Sequence, residues 1–270
     1  MFLKPAATSI TNFDIIDSIG IDFLFDKIYV VWGRDPIRRE YIEKSFANLG
    51  IQNYKFVRSI SPQNFFHDKS PRFKFLRKEW ALHKCNNCSS DKDMSHLPMS
   101  FGEVACSYGH LMAYKTAIKD GCDKFLVVED DVVFDKDVIL NVLEWKDYIP
   151  TDWDIIHYHS WHNFDHLLAK YRKQVNKYFF TGYKEFGGAV CYALTARSAK
   201  QLLAGSLPIA VAADGAISCF SSSLLSRRYY NSYVLCPFLA KKTMFDSQID
   251  EEQPVIKKYK TRNQRNGITS

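Results

Sequence analysis

The stretch KIYVVWGRDPIRREYIEKSFANLG, residues 27–50, decides the fold. Lys27 to Trp32 is a run of β-branched and aromatic residues, which predicts a buried strand. Gly33-Arg34-Asp35-Pro36 supplies turn chemistry. Ile37 to Leu49 carries a helical pattern that Gly50 ends. Tyr54 to Ile60 predicts a second strand. Strand, turn, helix, strand is the opening of an α/β sheet with neighbouring parallel strands.

Further along, Lys124 to Glu129 predicts a strongly apolar strand, Val132 to Phe134 a short one, and Asp137 to Trp145 a helix. Trp153 to His159, Ala189 to Thr195 and Tyr233 to Cys236 read as strands, and Tyr178 to Tyr183 as a strand or hairpin arm. Ser198 to Leu203 reads as a short helix, and Asp214 opens a later one. Ser100 and Glu103 make a capping box for a helix reaching about Lys119. On it Val104, Leu111 and Ile118 share one stripe, while Glu103, Ser107 and His110 share another face. Residues 1–26 read as a lead-in, 61–99 as a polar insertion or flap, and 257–270 as a basic polar tail. With no repeat and no clean linker, 27–256 reads as one domain.

A chain of 270 residues is long enough to build a full core without disulfides or metal. Its 46% hydrophobic and 24% charged residues exclude a disordered or fibrous protein. The net charge of +6 fits an anionic partner, such as a nucleotide, a phosphorylated glycan or a membrane surface, and does not call for nucleic acid. The cysteine count of seven is odd, with irregular spacing, and Met1 to Ala7 has no sustained apolar stretch. A reducing, cytoplasmic setting is therefore expected. No run approaches the ~18 apolar residues of a membrane span.

The sharpest chemical feature is Glu129-Asp130-Asp131 at the end of a buried strand. Three adjacent carboxylates repel, so a cation or water must neutralise them. Alternation puts Glu129 and Asp131 on one side. Two oxygens aimed at one point suit a hard divalent ion that also takes oxygens from a substrate phosphate. The bland alternative is a solvated acidic turn. His157, His159, His162 and His166 form a second cluster, read either as a histidine-ligated zinc site or, with Tyr158, Trp161 and Phe164 interleaved, as a sugar-acceptor platform. Cys85-Asn-Asn-Cys88 is a lone pair that His83 and His96 could complete as a zinc site.

Phe101-Gly-Glu-Val-Ala-Cys-Ser-Tyr-Gly-His110, followed by Leu126-Val-Val-Glu-Asp-Asp-Val132, resembles the core of glycosyltransferase family 25. That family includes bacterial lipooligosaccharide galactosyl- and glucosyltransferases and the collagen hydroxylysine galactosyltransferases. The resemblance continues through Lys27 to Val31 with Arg38-Arg39, Asp152 to Ile156, Gly188 to Thr195 with Ala199 to Leu203, Pro208 to Asp214, and Ser247-x-Ile249. It covers about residues 27–250 in order. The chain departs from the pattern at Trp32-Gly33, at Ile37, and at Gly109, where the family has the serine of a Ser-His pair.

The resemblance implies a single GT-A-type nucleotide-diphospho-sugar transferase fold, with a mixed, mainly parallel sheet flanked by helices. It implies transfer of galactose or glucose from a UDP-sugar to a saccharide or glycoconjugate acceptor, of the kind used in lipopolysaccharide biosynthesis. Glu129 and Asp131 would hold Mn²⁺ or Mg²⁺, which stabilises the departing diphosphate. Arg34, Arg38, Glu103, His110, Asp130 and Ser247 would contact the donor or support its site, the arginines through the guanidinium fork. Inversion needs a base for the acceptor hydroxyl. Asp214 is the candidate, with helix capping as its alternative role and Asp154 and Glu185 as competitors. The basic tail allows peripheral contact with an anionic membrane. A non-catalytic glycan-binding protein on the same fold is the alternative class.

Overall fold

The computed structural model describes residues 21–60, 101–160, 173–181, 188–207, 209, 212–221, 230–242 and 245. The strands are β1 (Lys27–Trp32), β2 (Tyr54–Arg58), β3 (Lys124–Glu129), β4 (Val132–Phe134), β5 (Ile155–His157), β6 (Phe179–Thr181), β7 (Cys191–Thr195), β8 (Ser232–Leu235) and β9 (Ala240–Lys242). The helices are α1 (Pro36–Asn48), α2 (Phe101–Lys119), α3 (Lys136–Leu140), α4 (Val142–Trp145), α5 (Ala196–Gly205) and α6 (Ala213–Ser221). Seven strands form one sheet in the order β2-β1-β3-β7-β5-β8-β6, and β4 pairs with β9. β2, β1, β3, β5 and β8 run one way, while β7 and β6 oppose them. The sheet is thus mixed and mainly parallel, as the sequence leads one to expect.

Strand alternation sorts the core into two layers. Tyr29, Val31, Phe125, Val127, Ile155, Tyr192 and Leu194 face α2, α5 and α6. Ile28, Val30, Leu126, Val128, Ile156, Cys191 and Ala193 face α1, α3 and α4. Both faces being covered explains why β1 and β3 read as continuous apolar runs. The α2 stripe is apolar as expected: Val104 and Leu111 are buried, and Ile118 packs against the same cluster.

Local chemistry sets several boundaries. Asp35 caps α1 by accepting from the Ile37 amide, and Pro36 takes the first helical position. Thr195 and Ser198 form a capping box on α5, which begins two residues before the expected start. The expected helix over Asp137–Trp145 breaks at Asn141 into α3 and α4, where the Val138 carbonyl accepts from the Trp145 indole. β9 was not legible in the sequence, because Ala240-Lys-Lys lacks the β-branched and aromatic residues that mark β4, and its pairing with β4 alone makes it a strand. The capping residue expected for α2, Ser100, lies outside the described residues, as do nearly all of 1–26 and the whole of 61–99 and 257–270.

The chain order places one position apart from the rest. β1 leads through α1 on one face to β2, and the later α2 on the other face leads to β3 on β1's opposite side. β1 and β3 therefore flank a topological switch point, where open α/β sheets bind ligands at the carboxyl ends of their strands. Glu129-Asp130-Asp131 ends β3 there, beside the turn that follows Trp32.

Candidate functional site

Arg38 answers the repulsion between Asp130 and Asp131. It lies one turn into α1 and is buried, with its Nη1 3.0 Å from Asp130 Oδ1 and 3.8 Å from Asp131 Oδ2. The Gly33 amide donates to Asp130 Oδ2 at 2.8 Å. Burial pushes the Asp130 carboxyl above its usual range, against the lowering effect of Gly33 and Arg38. Asp130 thus fastens the β3–β4 turn to the β1–α1 turn. Arg38, expected to meet donor phosphate, is engaged with the acidic turn.

Arg34 follows Gly33 at φ 79°, a left-handed conformation rare outside glycine. Its side chain is exposed, and its Nε donates to the Ser59 carbonyl at 3.3 Å. The turn is held from three sides, by Asp130, by Ser59 and by the Trp32 indole, which donates to the Asp35 carbonyl.

Glu129 engages α2. His110 Nε2 lies 3.2 Å and Cys106 Sγ 3.6 Å from its Oε1. Burial opposes the Glu129 charge, but the hydrogen bond and charge of His110, with the Cys106 bond, outweigh it and hold the carboxyl below its usual range. Burial and then the Glu129 charge push the Cys106 thiol well up. His110 Nδ1 pairs with the Tyr192 hydroxyl at 2.7 Å, which pairs with the Tyr114 hydroxyl at 2.6 Å. Among the described residues, Cys106, His110 and Glu129 form a group whose ligand atoms all lie within 4.8 Å of one another. Of the face predicted on α2, His110 is buried at this centre, Ser107 is buried nearby in sequence, and Glu103 is half-buried in the first turn.

Gly109 departs from the family pattern for a steric reason. A Cβ there would lie 2.6 Å from Val31 Cγ1 and 3.3 Å from Ser59 Cβ. The close approach of α2 to β1 leaves no room for a side chain. The same approach lets the Ser59 hydroxyl donate to the Ala105 carbonyl.

Asp214 sits in the first turn of α6, half-buried. Its Oδ2 accepts from the Gly188 amide at 3.1 Å and its Oδ1 from the Gly215 amide at 2.7 Å. Gly188 holds φ 88°, which a glycine adopts without strain. Asp154, the competitor of Asp214, is buried in a different setting: it accepts from Arg197 and from the Asn231 amide. Glu185 and Ser247 lie outside the described residues.

The aromatic-histidine stretch resolves otherwise than expected. Tyr158 is fully buried, packed edge-on against Phe25 and near Trp145, so it cannot serve as a sugar platform. His157 and His159 are buried, and His159 Nδ1 pairs with the Ala240 carbonyl. Neither belongs to the ligand group found among the described residues. His162 and His166, and the Cys85–Cys88 pair, lie outside those residues. Sequence reading missed Cys106, Tyr192 and Tyr114 as parts of the centre. The spacing of Cys106 and His110, four apart on one helix, was the available signal for the first; the tyrosines gave none.

The sequence model of one family, Glycosyltransferase family 25 (LPS biosynthesis protein), matches residues 25–217. No curated protein matches the chain. Among solved structures the chain is similar to one titled "Crystal structure of a glycosyltransferase involved in the glycosylation of the major capsid of PBCV-1", at 11% identity over 68% of each chain, with a TM-score of 0.30.

Proposed function

This chain belongs to glycosyltransferase family 25, and on that premise we propose that it is a GT-A-type enzyme moving a hexose, galactose or glucose, from a UDP-sugar to a saccharide acceptor of lipooligosaccharide or similar type. The observation that carries this reading is the acidic turn at the β1/β3 switch point, fastened by the Gly33 amide and Arg38. A nucleotide diphosphate has its natural place outside the carboxyl ends of such strands.

Glu129 and Asp131 offer oxygen donors on either side of Asp130, a set whose chemistry suits a hard ion such as Mn²⁺ or Mg²⁺. Such an ion, when bound, stabilises the charge that develops on the departing diphosphate. Arg38 keeps Asp130 and Asp131 from repelling each other before the donor arrives. Arg34, exposed on the turn, is the guanidinium available to phosphate. His110 and Tyr192 orient Glu129. Asp214 takes the proton of the acceptor hydroxyl as that oxygen attacks the anomeric carbon from the face opposite UDP. One such displacement inverts the centre. The Gly188 amide holds Asp214 in place for it. We place the activity at 27–256, in the cytoplasm or at the inner face of a membrane; no helix among the described residues is long and apolar enough to cross one.

A thermal-shift screen of nucleotide sugars with and without Mn²⁺, followed by transfer and hydrolysis assays, tests the reading. A donor at 100 times its Kd stabilises the fold by about 2.7 kcal/mol, a rise of several degrees in Tm. One UDP-hexose should give that rise only with the metal, and Asp131→Asn should lose it. A protein that binds and hydrolyses no UDP-sugar under either condition overturns the UDP-hexose reading, and glycan binding by that protein would support the non-catalytic alternative.

A further inference from the structure

The geometry points to a zinc site at Cys106, His110 and Glu129, by which Zn²⁺ withdraws Glu129 from the donor site and inhibits transfer. The binding stands on geometry alone; the inhibition rests on the proposed role of Glu129.

The three donors are sulfur, nitrogen and oxygen, a set that favours a borderline ion over Mn²⁺ or Mg²⁺. Cys106 and His110 lie one turn apart on α2 and both meet Glu129 Oε1 at the end of β3. In a tetrahedral zinc site with ordinary bond lengths, the nitrogen–oxygen edge is about 3.3 Å and the sulfur–oxygen edge about 3.5 Å. The observed separations are 3.2 Å and 3.6 Å. Two edges of the tetrahedron are therefore already set by the fold.

The surroundings complete the site. Zinc-bound histidines direct their second ring nitrogen to a fixed partner. Here His110 Nδ1 meets the Tyr192 hydroxyl, itself paired with Tyr114, so Nε2 is the nitrogen turned to Cys106 and Glu129. Tyr192 also stacks on the imidazole, with ring centroids 5.7 Å apart. The Glu129 side chain keeps 22% exposure, so solvent reaches the group. On binding, the Cys106 S–H and His110 Nε2–H bonds break and the protons go to solvent, the imidazole keeping a single ring proton on Nδ1 toward the Tyr192 hydroxyl; the freed sulfur and nitrogen electron pairs form the bonds to zinc, with no change of oxidation state.

Cobalt(II) titration of the full chain reads the site directly, because a cobalt–thiolate bond gives a charge-transfer absorption. Wild type should show one equivalent of that band, displaced by Zn²⁺. Cys106→Ala should lose it, and a Cys85→Ser/Cys88→Ser variant should keep it. In the Mn²⁺-supported transfer assay, with each variant's rate normalised to its own rate without zinc, Cys106→Ala should raise the Zn²⁺ concentration for half-inhibition by at least about tenfold. A band that survives Cys106→Ala, that follows Cys85 and Cys88, or that never forms overturns the site. If no transfer is found under any condition, the glycosyl-transfer reading fails while the cobalt titration still decides the zinc site. Equal Zn²⁺ sensitivity of wild type and Cys106→Ala, with the band intact in wild type, overturns the inhibition.

Discussion

Arg38 and Asp130 have side chains 8% exposed, and each is the other's counter-charge. Removing one member of such a pair leaves an uncompensated buried charge, at a cost of about 3–5 kcal/mol. Arg38→Met should therefore lower the urea midpoint steeply, and adding Asp130→Asn should recover part of the loss. A double variant no more stable than the single one would separate the two residues. Gly109 is decided by space rather than charge. Gly109→Ser should cost about 1–3 kcal/mol, because its Cβ would displace Val31, and a chemical denaturation curve checks it. At Asp214 the expectation is kinetic: Asp214→Asn should lower kcat by about 10²–10⁴-fold with UDP-sugar binding retained. Loss of donor binding with kcat unchanged would make it a structural anchor for Gly188.

The turns between elements carry more of the site than the elements do. The β1–α1 and β3–β4 turns meet through Asp130, and the segment before β7 meets α6 through Asp214. Asp154, just before β5, does comparable work away from this centre by joining α5 to the segment before β8. Asp154→Asn should therefore lower Tm, through weakened bonds to Arg197 and Asn231 worth about 1–3 kcal/mol, and leave the turnover of folded protein unchanged. Lost turnover at unchanged Tm would restore it as a candidate base. The elements themselves were largely legible, because β1 and β3 are continuous β-branched and apolar runs, β2 is rich in strand formers, and Gly33 to Pro36 and Gly50 mark where α1 starts and stops. The α3–α4 break and β9 were not, since the first depends on where one indole bonds and the second on a partner more than 100 residues away.

At the scale of the molecule, acid stability follows from the lowered carboxyls. Asp120, at the opposite end of β1 from the acidic turn, is held below its usual range chiefly by the Lys55 hydrogen bond, against burial and with help from Tyr29. Its folded pKa lies below the unfolded value, so its contribution is full above about pH 4 and lost as pH falls through the folded value. Glu129 adds to the same trend, and Asp130, raised by burial, opposes it. Stability should thus fall on acidification through this window, and Asp120→Asn should flatten the fall. A pH series of thermal melts reads the slope directly.

The sequence by itself determined the α/β class, the order and phase of the main strands, the acidic triplet and its family. Each of these is written in local pattern: period, turn residues and adjacent charge. Only the tertiary structure decided what the carboxylates meet. Asp130 finds Arg38 from 92 residues away, and Glu129 finds His110 on the helix that precedes its strand. Tyr192 comes to the same point from β7, on the far side of β3. Linear order cannot show these partners, because they meet through a helix crossing over the sheet and a strand reversing direction beside β3.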